Sequence, residues 1–110
     1  MTDLQKVVVF REMIRRDLPP ILIECGYHKI YDNLDDSDEN AQHIFKLVFS
    51  GKNIIEISNS DWRDFVEFFD VYLDGVEVAS VNILEYPNLE MAFGSLKKIL
   101  DEVIAYPKHS

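Results

Sequence analysis

Cysteine is almost missing from this chain. A single Cys25 among 110 residues rules out an internal disulfide and suits a reducing compartment. Glycine and proline are nearly as sparse, with four of each. No glycine-rich phosphate cradle, dinucleotide fingerprint or serine elbow can be assembled from them. No apolar run approaches the ~20 residues that span a bilayer. The opening MTDLQKVVVF has no basic segment before an apolar one and no small-residue cleavage site, so no secretory signal is expected. These absences predict a cytoplasmic protein with no membrane partner.

Bases are also few, 11 Lys and Arg against 20 Asp and Glu, and they are unevenly placed. Residues 1–29 hold five bases (Lys6, Arg11, Arg15, Arg16, Lys29) and four acids, a net +1. Residues 91–110 hold three bases and two acids, again +1. Residues 30–90 hold three bases and fourteen acids, so their −11 accounts for the whole net charge of −9. Such a field repels nucleic acid and attracts cationic surfaces. A diffuse acidic coat would serve solubility alone, whereas acid concentrated in one segment points to a partner. With 47% hydrophobic residues the chain has the material for a core, and its length is that of one domain, residues 1–110.

Thr2 with Gln5 three residues on is a capping box that opens a helix, with Leu4, Val7, Phe10 and Ile14 on one face and Arg11, Arg15 and Arg16 elsewhere. Pro19 and Pro20 lack amide donors and are expected to break this helix. A second piece would then run over Ile21–Cys25, capped by Asp17 and closed by Gly26 in the left-handed conformation. The helical region is residues 2–25, with a bend. Tyr27–Asp32 is a short strand candidate, followed by the polar, turn-rich DNLDDSDENAQ.

Phe45, Leu47 and Phe49 alternate, and Ile55 and Ile57 resume the alternation, which is the period of half-buried strands. A two-residue loop between them would place Leu47 opposite Glu56. A three-residue loop, Gly51-Lys52-Asn53, pairs Phe49 with Ile55 and Leu47 with Ile57, provided Asn53 takes a left-handed conformation. Asp74-Gly75 is a stronger hairpin signal, joining Phe65–Leu73 to Val76–Ile83. Phe65, Phe69, Val71 and Leu73 would share a face with Val76 and Val78. The apolar parity then switches to Val81 and Ile83, which requires a bulge near Ala79-Ser80. Asn88 caps a final helix, 88–105, whose stripe runs through Leu89, Ala92, Phe93, Leu96, Ile99, Leu100, Val103 and Ile104 to a stop at Pro107.

The predicted fold is α+β. It is a two-layer sandwich in which an antiparallel sheet of 4–5 strands, arranged in hairpins within residues 27–83, has the N- and C-terminal helices packed on one face. The other face would hold Lys46, Glu56, Ser58, Asp70, Tyr72, Glu77 and Phe68 and would meet solvent or a partner.

Chemistry is hard to place on this frame. Asp36, Asp38 and Asn40 fit positions one, three and five of a calcium-binding loop, but Ala41 stands where glycine is needed and Leu47 where a bidentate glutamate is needed. His28 and His43 have no cysteine or acid at ligand spacing, and Cys25, late in its helix, reads as a small buried residue. No catalytic, metal or cofactor site is predicted, and the expectation is that the protein is not an enzyme.

The richest stretch is SNSDWRDFVEFFDVYLDG, residues 58–75, where aromatics alternate with carboxylates. Trp62, between Asp61 and Asp64, either plugs one end of the core or anchors a partner. Aromatics ringed by acids suit arginine and lysine from a basic protein, through cation–π contact and charge-assisted hydrogen bonds. The candidate partner-binding residues are Asp35, Asp36, Asp38, Glu39, Asp61, Trp62, Asp64, Asp70 and Tyr72.

In size, acidity and architecture the whole chain resembles bacterial toxin immunity proteins, including those of contact-dependent growth inhibition. No motif is aligned and no residue is carried over. The resemblance implies a binding protein, monomeric or weakly dimeric, that neutralises a cognate basic toxin domain, for instance a nuclease, by occlusion. Two alternatives stand beside it: a dimeric secretion-type chaperone, and a small enzyme with His28 or His43 as base in the crevice between sheet and helices.

Overall fold

The computed structural model describes residues 1–35, 44–60 and 67–105, apart from the side chains of Asp35 and Ser60. Helix α1 runs over Asp3–Glu24. Strands β1 (His28–Asp32), β2 (Ile44–Ser50), β3 (Ile54–Ser60), β4 (Phe68–Leu73) and β5 (Val76–Asn82) follow, and helix α2 (Leu89–Ala105) closes the chain. Short 3-10 turns occupy Asn33–Asp35 and Ile83–Glu85. The five strands form one antiparallel sheet in chain order, with β1 and β5 at its edges. This is the expected α+β arrangement.

Odd-numbered residues of the central strands point to the core and even-numbered ones point away. Phe45, Leu47, Phe49, Ile55, Ile57, Phe69 and Val71 are buried together with Val7, Phe10, Ile14, Leu18 and Leu22 of α1 and Ala92, Leu96 and Leu100 of α2. Both helices therefore cover the same face of the sheet. The Phe10 ring meets the Phe69 ring edge-on at 4.8 Å, and Phe45 meets Phe69 at 5.8 Å. Such edge-to-face contacts fix the helix against the sheet more specifically than aliphatic packing alone.

The capping box at Thr2 and Gln5 forms as expected, Gln5 Oε1 accepting from the Thr2 amide and Thr2 Oγ1 from the Gln5 amide. The expected break does not. Pro19 and Pro20 lie inside one 22-residue helix, and Asp17, rather than capping a second helix, pairs with the Arg16 guanidinium at 2.9 Å. Each proline removes one intrahelical donor, at a cost of about 3 kcal/mol. Fully burying a leucine returns about 1.5–3 kcal/mol. Leu18 and Leu22, one turn apart on the buried stripe, straddle the prolines, and keeping both buried favours one continuous helix through them. Gly26, at φ 90°, ends α1 in a Schellman motif, the Gly26 amide donating to the Ile23 carbonyl and the Tyr27 amide to the Leu22 carbonyl.

The apolar stripe of α1 also differs from its expected membership. Leu4 is 50% exposed, whereas Arg11 is only 5% exposed. Arg11 stands four residues after Val7 and three before Ile14, a spacing that belongs to the buried face. Cys25, expected to be buried, is exposed at the helix end.

The three-residue loop pairs Phe49 with Ile55 and Leu47 with Ile57, as expected. Its chemistry is different. Among the described non-glycine residues only Asp74 has a positive φ, so Asn53 is not left-handed. Asn53 Oδ1 instead accepts a 2.5 Å hydrogen bond from the Tyr27 hydroxyl. Asp74 and Gly75, at φ 50° and 86°, make the tight turn between β4 and β5. The bulge lies slightly earlier than expected: Tyr72 pairs with Glu77 and Val71 with Ala79, leaving Val78 unpaired. Val76 and Val78 are 65% and 44% exposed, not part of the core face. Strand β5 ends at Asn82, whose side chain caps the turn containing Ile83. Asn88 caps α2 through the Met91 amide. Phe65 and Pro107, at the expected ends of β4 and α2, are outside the described residues.

Candidate functional site

The uncovered sheet face is built by the even-numbered residues of β2, β3 and β4, joined across the register shifts by Tyr31 of β1 and Glu77 of β5. Register places Tyr31 opposite Val48, Val48 opposite Glu56, Glu56 opposite Tyr72 and Tyr72 opposite Glu77, a single row across all five strands. Beside it runs a second row, Lys46, Ser58, Asp70 and Ser80. Direct cross-strand neighbours sit about 5 Å apart, close enough for these side chains to act together. Three carboxylates, Glu56, Asp70 and Glu77, thus surround one phenol, and Lys46 is the one base within these two rows.

That base is already engaged. Lys46 Nζ is 3.7 Å from Glu56 Oε1 and lies 5.9 Å from the centre of the Tyr31 ring. Asp70 Oδ1 accepts a hydrogen bond from the Ser80 hydroxyl at 2.8 Å. Tyr72 is half-buried among these groups. Its phenol is held above the ordinary tyrosine value, first by desolvation and then by the charges of Asp70, Glu77 and Glu56.

A second polar cluster ties α1 to the first strands. Arg15 Nε is 3.2 Å from both carboxylate oxygens of Asp32, its Nη2 donates to Asn33 Oδ1 at 2.9 Å, and its guanidinium lies 4.6 Å from the centre of the Phe45 ring. Lys29 adds a 3.7 Å contact to Asp32. Deeper in, Arg11 Nε donates to Asn59 Oδ1 at 2.8 Å, and Asn59 Nδ2 donates to the Phe68 carbonyl at 2.7 Å. Beside these groups is a groove of 440 Å³ lined by Val8, Arg11, Glu12, Arg15, Arg16, Leu34 and Ile44. The cluster orients side chains by pairing them internally, which is the work of a structural buttress.

Of the residues singled out in the sequence, Asp70 and Tyr72 stand two apart on β4 and share the uncovered face. Asp35 closes the 3-10 turn Asn33–Asp35. Asp36, Asp38, Glu39, Asp61, Trp62 and Asp64 lie outside the described residues, as does His43. Asp32, three residues before Asp35, is a buried acid. Glu56 and Glu77, the direct neighbours of Tyr72, were not among the chosen residues. Their signal was present: the Asp74-Gly75 turn fixes Tyr72 opposite Glu77, and one further pairing brings in Glu56.

Among the described residues no three His, Cys, Asp or Glu side chains are placed to hold a metal ion. Among them, too, no helix is long and apolar enough to cross a membrane. No family model, no curated protein and no solved structure matches the chain.

Proposed function

We propose that this chain is a non-catalytic acidic binding protein that captures a basic protein domain, acting as an immunity protein that neutralises a cognate toxin by occlusion. The observation that carries this reading is the sheet face left open by both helices, where Glu56, Asp70 and Glu77 surround Tyr72 and Lys46 is already paired with Glu56. Opposite charge steers a cationic partner to that face, and burial of aromatic surface slows its release. The acids Asp35, Asp36, Asp38, Glu39, Asp61 and Asp64 would stand in for the phosphates of a nuclease substrate.

The test is survival and complex formation. Cells expressing a cationic toxin domain encoded beside this chain are expected to grow only when the chain is co-expressed. Reversing Asp61 and Asp64 to lysine is expected to lower the association rate and flatten its dependence on salt. Failure of the chain to rescue growth or to bind the domain would overturn the immunity reading. Unchanged association in the reversed variant would remove those two acids from the contact.

A chaperone reading draws on a different observation. Met1, Leu4, Val8 and Val9 are exposed and line a shallow depression at the start of α1. A chaperone of this size would hold an extended apolar segment as an obligate dimer. Sedimentation as a monomer excludes that arrangement.

A further inference from the structure

We infer that Tyr72, with Asp70 and Glu77, is a receptor for an arginine side chain of the partner, the guanidinium lying on the phenol ring and bonding to the flanking carboxylates. This rests on the basic-partner reading above and assigns it a contact point and a preferred side chain.

The face supplies its own precedent. On one half, Lys46 is held by a carboxylate and an aromatic ring at once, Glu56 at 3.7 Å and the Tyr31 ring at 5.9 Å. The other half repeats the combination, with Tyr72 flanked by Glu77 directly across β5 and by Asp70 two residues along β4. Among the described residues no cation pairs with this second set, and Lys46 serves the first. A second bound cation lies where α1 meets the sheet: Arg15 sits 4.6 Å over the Phe45 ring while Asp32 and Asn33 take its N–H groups. The chain thus twice binds its own cations with aromatic and carboxylate together.

Geometry favours arginine over lysine in the open set. Tyr72 is half-buried on the sheet face away from the helices, so part of its side chain is open to a partner. A planar guanidinium can stack on that face and still direct N–H groups sideways to carboxylates on either flank. An ammonium is a point donor that satisfies one flank at a time. The phenol is held above the ordinary tyrosine value first by burial and then by the negative charges of Asp70, Glu77 and Glu56, which lie close enough to act on it.

The test uses two synthetic peptides of equal length, one with six arginines and one with six lysines spaced by glycine and serine, titrated into the full chain by calorimetry at two salt concentrations. The arginine peptide is expected to bind roughly threefold to tenfold more tightly. Tyr72→Phe should keep that preference, Tyr72→Ala should abolish it, and Glu77→Gln, at an exposed position where folding is not at stake, should weaken both peptides. Equal affinity for the two peptides, or a preference that survives Tyr72→Ala, would overturn this inference and leave the basic-partner reading standing. No salt-dependent binding of either peptide would overturn both.

Discussion

Gly51 shows how a single hydrogen atom can decide a local structure. A Cβ at this position would lie 2.6 Å from Tyr27 Cδ1 and 2.9 Å from the Gly26 carbonyl oxygen. Tyr27 cannot simply swing away, because its ring is buried and its hydroxyl is tied to Asn53. The end of α1 and the β2–β3 loop are therefore in backbone contact through the space a side chain would fill. Gly51→Ala is expected to destabilise the fold by about 1–3 kcal/mol, seen as a lower urea midpoint with an unchanged slope. In the sequence Gly51 reads only as a turn residue. Its second role depends on a contact with a residue 24 positions away, which no local pattern encodes. Arg11 is a contrasting case: its position on the buried stripe was legible from spacing alone, but charge argues against burial. The Asn59 side chain resolves that conflict by accepting from Nε.

At the level of elements, local rules held wherever the residues that set a structure are also neighbours in the chain. Asp74-Gly75 requires positive φ at both positions and obtains it. Asn88 caps the helix it precedes, and the alternation of β2 and β3 sets their register. Helix α1 is where a local rule lost, since the proline penalty was outweighed by burial that only the sheet provides. Pro20 is exposed, so little packing is at stake in replacing it. Pro20→Ala should restore a donor to the Arg16 carbonyl, gaining about 3 kcal/mol of helix preference against about 1 kcal/mol from a more flexible unfolded chain. A net stabilisation of about 2 kcal/mol in thermal or urea unfolding is the expected outcome. A loss of stability would mean that the rigid pair is needed to aim the last turn at Tyr27.

For the molecule as a whole, the sequence carried the imbalance of charge and the two-layer plan, but not which acids would become neighbours. That depends on strand parity and register together: Glu56 and Glu77 are 21 positions apart and meet across Tyr72 only because β3, β4 and β5 are consecutive in the sheet. A five-stranded antiparallel sheet also has two free borders, and an open border can recruit a neighbouring chain. Val78 matters here. As the residue β5 has in excess, it twists that border and spoils its match to an incoming strand. Deleting Val78 would leave every existing β4–β5 pair in place while straightening the border, so the shortened chain is expected to fold and then to self-associate, with light scattering rising over hours where the parent stays clear. Ile30 is surplus in the same way on β1, between Lys29 and Tyr31, so each border of the sheet carries one extra residue that discourages a neighbouring chain from docking.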